Sequence, residues 1–325
     1  MNKGIEYHFS STEVETGLKA ICEKGVTRLI VYDPKLTGNK EKLLNFLHAA
    51  IQDAPQLFYS IYLQANLLDK EVCSILSELF CSLQLPLDYI DRKSFLRRID
   101  LLNRYGLVFG FDIDVVANKT DTIKLFRDRI DFALSCYPNH LDFPQLDEKD
   151  KPTSTGFFSP RDISLAMDCA FACTVFYSAG RAVPWFQSVL KPLKMKASSF
   201  FSDFAEWLRC NNCSLQTGFD GFSIPHSEVE RMQLIFLQLK YEEKKVVHLF
   251  PAVKEIVRLN GAFSRLAGEG EECEMELDFN PQDIFSPYTE DLPKFVENVC
   301  MEHCKVRVYT AISPEGEQYP EYKIV

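Results

Sequence analysis

Residues 25–51 read GVTRLIVYDPKLTGNKEKLLNFLHAAI, and this stretch sets the reading of the first half of the chain. Val26–Tyr32 is an apolar, β-branched run bounded by Gly25 and by Asp33-Pro34, the pattern of a strand. Leu43, Leu44, Leu47, Ala50 and Ile51 then recur at helical spacing until Pro55 stops the pattern. Upstream, Thr12 and Glu15 form a capping-box pair. Val14, Leu18, Ile21 and Cys22 make one helical face, closed by Gly25.

The same unit recurs outward from this stretch. Leu57–Leu63 reads as a strand and leads into a helix from Asp69 carrying Val72, Ile75, Leu76, Leu79 and Phe80. Leu83–Leu87, Leu107–Val116 and His140–Leu146 read as further strands. Between them lie helical faces of Phe95, Ile99 and Leu102, then of Ile123, Phe126, Ile130 and Leu134. Each βα step is long enough for a right-handed crossover, so the strands should run parallel with helices outside. Residues 147–156 are polar with Pro152 and Gly156, a linker signature. Helices are then expected from Ser159-Pro160 and near 184–193, 198–209, 227–244 and 246–259. Glu272–Phe279 alternates acids with Cys273, Met275, Leu277 and Phe279, a half-buried strand; Val306–Ile312 and Tyr319–Val325 flank a turn as a hairpin. The expected fold is α/β: a partial (β/α) barrel of about five parallel strands over 1–147, a linker at 148–156, and a helical, Phe-rich domain with a terminal β-hairpin over 157–325.

Composition narrows the function classes. The 325 residues carry a net charge of −10 with 46% hydrophobic content, which excludes disordered and fibrous classes. The acidic balance argues against a nucleic-acid surface, which needs clustered Lys and Arg. Met1–His8 contains no apolar core of a secretory signal, and the apolar stretch Ile163–Gly180 reads as a buried helix rather than a membrane span. Eleven cysteines in mostly apolar patterns read as reduced thiols of a cytoplasmic protein.

In parallel βα architecture, function gathers where strands end, because those loops share one rim. The carboxyl ends present Asp33, then Gln64 and Asn66, Asp88, Asp112 and Asp114 with Asn118, and finally Gln145 and Asp147. Such a ring suits a substrate or cofactor site; the same residue types also cap helices and turns locally. Asp112 and Asp114 share one face of their strand by period two and could hold a metal, a basic substrate group or a lysine. Cys210 and Cys213 form a CxxC, and Cys300 and Cys304 with His303 are expected on adjacent helical turns, a weak candidate for tetrahedral zinc. Cys169 and Cys173 fit helix packing better. His48 and His140 read as packing or surface residues. No GxSxG, P-loop, GxGxxG or HExxH is present, so no cofactor is evident from motifs.

The order of pieces from Tyr7-His8-Phe9 onward, with GVTRLIVYDPKLTGNKEKLLNFLHAAI, LLDKEVCSILSEL, LQLPL, FLRRIDLLNRYGLVFGFDIDV and DTIKLFRDRIDFALSCYPNHLDFPQL, resembles the radical S-adenosylmethionine barrel in its cobalamin-binding branch. The resemblance covers residues 8–147. It implies a (β/α) barrel, S-adenosylmethionine, a 4Fe–4S cluster, cobalamin from an upstream domain, and radical methylation or rearrangement. The sequence departs from that pattern: CxxxCxxC is absent, Phe176 stands where Cys169-x3-Cys173 would need a third thiolate, and Ala117–Asp121 replaces a Gly-Leu-Pro turn. Three expectations follow. One is a degenerate or truncated relative acting as a binding or partner subunit, with a partner completing the barrel or carrying the cobalamin domain. The second is an active family enzyme whose cluster segment is missing from this chain, the true start codon lying upstream. The third is an enzyme with altered chemistry at the rim.

Overall fold

The structure is a computed structural model describing residues 14–87, 92–314, 316 and 318–325; the capping pair headed by Thr12 and the rim candidate Asp88 lie outside the described residues. The first helix is α1 (Val14–Glu23). Five strands follow: β1 (Arg28–Val31), β2 (Phe58–Tyr62), β3 (Cys81–Pro86), β4 (Val108–Asp112) and β5 (His140–Asp142). They form one sheet in the order β1-β2-β3-β4-β5 with every pairing parallel. Between them come α2 (Pro34–Thr37) with α3 (Lys40–Asp53), then α4 (Lys70–Leu76), α5 (Arg92–Arg104) and α6 (Ile123–Leu134). Sequential order with a helix in each crossover is the plan of a partial (β/α) barrel, as the repeat of strand and helix patterns leads one to expect.

The chain divides into two compact units, Met1–Ala117 with Phe132–Pro144 and Asn118–Asp131 with Gln145–Val325, one of the three crossings falling within α6. In the first unit, Tyr59, Ile61, Leu83, Leu85, Phe109, Phe111 and Leu141 are fully or almost fully buried. They occupy one face of the sheet by period two. The helices pack on that face: the Phe46 ring of α3 meets Tyr59, and the Phe95 ring of α5 meets Phe111. The alternate residues form the opposite face, where Ile30 and Tyr32 stand exposed. Strand β5 is shorter than the expected His140–Leu146, because Pro144 lacks the N–H a strand needs and opens a 3-10 turn, Pro144–Leu146.

The second unit opens on α7 (Pro160–Cys173), whose N-terminus carries a capping box of Ser159 and Asp162 with proline in the first turn. A π-helical turn, Thr174–Ala179, continues it. This Pro160–Ala179 helix is long and apolar enough to cross a membrane, and 61% of its apolar window is buried inside the protein. Cys169 and Cys173 are buried in it. Helices α8 (Phe186–Leu190), α9 (Ala197–Cys210), α10 (His226–Glu243) and α11 (Phe250–Glu269) follow. Phe176 centres the core, its ring 5.0–6.1 Å from those of Trp185, Phe186, Phe200, Phe201 and Phe204.

The chain ends in an antiparallel sheet, β6 (Cys273–Leu277), β7 (Cys304–Ile312) and β8 (Gln318–Ile324), with α12 (Pro281–Ile284) and α13 (Leu292–Asn298) between the first two strands. The alternation of Glu272–Phe279 is realised: Met275, Leu277 and Phe279 are buried, while Glu274 and Glu272 pair with Lys305 and Arg307 of β7. One expectation fails. Residues 300–303 are not helical, because α13 ends at Asn298 with Val299 already extended, and Cys304 begins β7 opposite Leu277.

Candidate functional site on the open sheet face

The face of the five-stranded sheet away from the helices carries polar side chains in register. Tyr62 of β2 pairs with Gln84 of β3, Gln84 with Gly110 of β4, and Gly110 with His140 of β5, one continuous row across four strands. One row further toward the strand ends, Asp112 pairs with Asp142. Gln84 is only 5% exposed and is the hub. Its amide nitrogen donates to Asp112 Oδ1 at 2.7 Å and to Asp142 Oδ2 at 2.8 Å. Its Oε1 lies 2.7 Å from His140 Nε2.

Protonation follows from these partners. Carboxylates only accept, so the amide nitrogen must face them, and Oε1 must then accept from His140. The neutral imidazole therefore carries its proton on Nε2 and leaves Nδ1 as the acceptor. Burial pushes the His140 pKa below the ordinary histidine value; Asp142, 3.5 Å from Nε2, pulls it back, and Arg28 adds to the depression. Burial likewise raises the Tyr62 phenol, reinforced by the charges of Asp112 and Asp142. Arg28 bonds Ser60 Oγ through Nη2 at 2.9 Å and lies over the Phe58 ring.

Glycine is required in the middle of this row. A Cβ on Gly110 would stand 2.2 Å from His140 Nε2. The imidazole crosses the bare strand, and this lets side chains of β3 and β5 meet although β4 lies between them.

The depressed His140 pKa has a stability consequence. The folded state disfavours the imidazolium, so the stabilisation is complete above the unfolded histidine value of about 6.5 and is lost as pH falls through the lower folded value. We expect urea unfolding to show falling stability below about pH 6.5, and His140→Gln to flatten part of that slope. His226 of the second unit is shifted in the same direction by burial, so a remaining slope is expected in the variant.

The rim candidates are placed as follows. Asp33 accepts from the Lys35 N–H and caps α2. Gln64 precedes a 3-10 turn and makes no side-chain cap bond there; Asn66 offers its carbonyl to Arg98 at 2.7 Å. Asp112 joins the Gln84 hub, and Asp114 is half-buried two residues beyond. Asn118 and Gln145 belong to the second unit, where Asn118 Oδ1 accepts from Thr120. Gln84, Gly110, His140 and Asp142 were not among the candidates. The signals were a glutamine between leucines in LQLPL, a glycine inside a strand pattern, and a His-Leu-Asp alternation.

The donor set does not fit the iron–sulfur cluster implied by the radical-enzyme resemblance. All eleven cysteines are described and free, and no three His, Cys, Asp or Glu residues gather to hold a metal among the described residues. Cys73, Cys81 and Cys136 are buried, which pushes each thiol up to about 11, away from the thiolate a cluster needs. Cys210, Cys213, Cys300 and Cys304 do not assemble either: the Cys304 thiol points to the Phe279 carbonyl and that of Cys213 to the Asn211 carbonyl.

Comparison with protein-family models gives no match, and no curated protein matches the sequence. What the fold defines is a partial (β/α) barrel, built of a parallel five-stranded sheet and its crossover helices.

Proposed function

We propose that this protein is a radical-SAM-like (β/α) half-barrel working as a binding or partner subunit rather than an autonomous radical enzyme. Its open sheet face takes a small ligand bearing a cationic group. The observation that carries the reading is the grip of Gln84 on two carboxylates at once. One buried amide holds Asp112 and Asp142 a few ångströms apart, concentrating negative charge on a face where Asp142 remains 54% exposed at its side chain. A cation about 4 Å from each would gain about 4 kcal/mol per carboxylate at an effective dielectric of 20, before desolvation. Tyr62, Ser60 and Arg28 supply hydrogen-bonding and anion-binding groups on the same face. A ligand with both charges therefore fits better than a simple metal ion.

The test is thermal denaturation with S-adenosylmethionine, its uncharged-sulfur analogue S-adenosylhomocysteine, and a simple diamine, for the wild type and Asp142→Asn. We expect saturable stabilisation of the wild type by at least one cation, reduced about tenfold in apparent affinity by the substitution. Absence of stabilisation by all three, or equal stabilisation of the variant, would refute the reading.

A further inference from the structure

Strand β6 is an edge of the antiparallel sheet, and an open groove of about 740 Å³ runs beside it. Three consecutive strand residues, Glu274, Met275 and Glu276, line this groove, together with Lys254 and Arg258 of α11 and Lys305 of β7. Met275 faces the core and its neighbours the exposed side, so the cavity reaches around the free edge of β6 as well as over its acidic face, where Lys305 lines it.

The backbone polarity of that edge follows from the pairing. The Lys305 carbonyl accepts from the Val325 N–H, so Lys305 turns its backbone toward β8. Its neighbours Cys304 and Val306 then face β6, opposite Leu277 and Met275. Between those two, Glu276 must direct its N–H and C=O outward, as must Glu274. In agreement, Arg258 Nη1 reaches the Glu276 carbonyl, at a long 3.4 Å that an incoming N–H could replace.

We infer that β6 accepts an extended polypeptide segment as an added strand, and that this segment carries Lys or Arg at alternate positions. Charge decides the occupant. The exposed face of β6 bears Glu272, Glu274 and Glu276, and β7 already meets it with Lys305 and Arg307 on its paired side. A second strand on the free side shares Glu272 and Glu274 with those cations and meets the exposed Glu276, so its side chains on that face should be basic. Those on the other face meet Lys254, Arg258 and Met275 and should be neutral or apolar. A second copy of β6 is disfavoured, because antiparallel self-pairing would set the acidic stripe against itself.

The experiment is fluorescence anisotropy of the full chain with a labelled peptide alternating lysine and valine. Its comparators are a glutamate–valine peptide and the lysine peptide N-methylated at alternate backbone nitrogens. Saturable binding of the lysine peptide is expected. N-methylation and the exposed substitution Glu276→Lys should each weaken it at least tenfold, with circular dichroism and melting of the variant unchanged, and the glutamate peptide should not bind. Equal binding of the N-methylated peptide would reduce the effect to charge alone and overturn the inference. So would undiminished binding to Glu276→Lys, no saturable binding, or a sedimentation-detected homodimer that Glu276→Lys disrupts.

Discussion

Gln84→Glu should destabilise the protein by about 3–5 kcal/mol at neutral pH, although it replaces one atom group by another of the same shape. The native amide donates to two carboxylates 2.7 and 2.8 Å away. A carboxylate in its place cannot donate when ionised, and adds a third negative charge to the pair. The new side chain will hold its proton more tightly in the folded state than in the unfolded chain, where its pKa is about 4.3. Stability is therefore least affected below that value and declines as pH rises through the elevated folded pKa. Urea titrations between pH 4 and pH 8 should show a deficit that grows with pH. A deficit independent of pH would mean that Gln84 contributes packing and not charge organisation.

Phe176→Ala should cost about 3–5 kcal/mol, the usual penalty for emptying a buried aromatic site. The ring is fully buried and touches five other aromatic side chains, Trp185 and Phe186 at the start of α8 and Phe200, Phe201 and Phe204 of α9. It also sits in the π-helical turn, where its carbonyl accepts from the buried Gln233 amide at 2.7 Å. The cavity cannot collapse without moving that turn. Both tryptophans, Trp185 and Trp207, belong to this aromatic core, so tryptophan fluorescence isolates its unfolding. The midpoint should fall by about 6–20 °C, given about 2–4 °C per kcal/mol for a unit of this size. A loss under about 2 °C would show that the ring is not structurally central.

The repeating βα plan was legible because each strand is a short apolar run and each helix a 3.6-period face, both local signals. Strand positions matched within a few residues at β1 through β8. Residues 300–303 satisfy a helical period locally, with cysteine and histidine three and four apart, but Val299 is already extended and Cys304 pairs with Leu277, a long-range contact that local spacing does not carry. At the candidate site, Asp112 could be picked out from its place at a strand end. Its partners could not, because Gln84 and Asp142 are 58 residues apart and meet only through the register of three strands and the missing side chain of Gly110. Asp33 and Asn118 show the limit from the other direction. Their side chains bond backbone N–H groups two residues on, a local use that strand-end position alone cannot distinguish from ligand binding.

The most direct test of ligand binding on the open sheet face is the imidazole NMR signal of His140, assigned by its loss in His140→Gln, during titration with S-adenosylmethionine and a diamine. Its ring lies beside Asp142 and on the Gln84 hub, so a cation held between the two carboxylates must perturb it. We predict a saturable shift of this resonance, with that of His303 in the second unit unmoved and the effect abolished in Asp142→Asn. A His140 signal that stays fixed at saturating ligand, or shifts equally in Asp142→Asn, would contradict it.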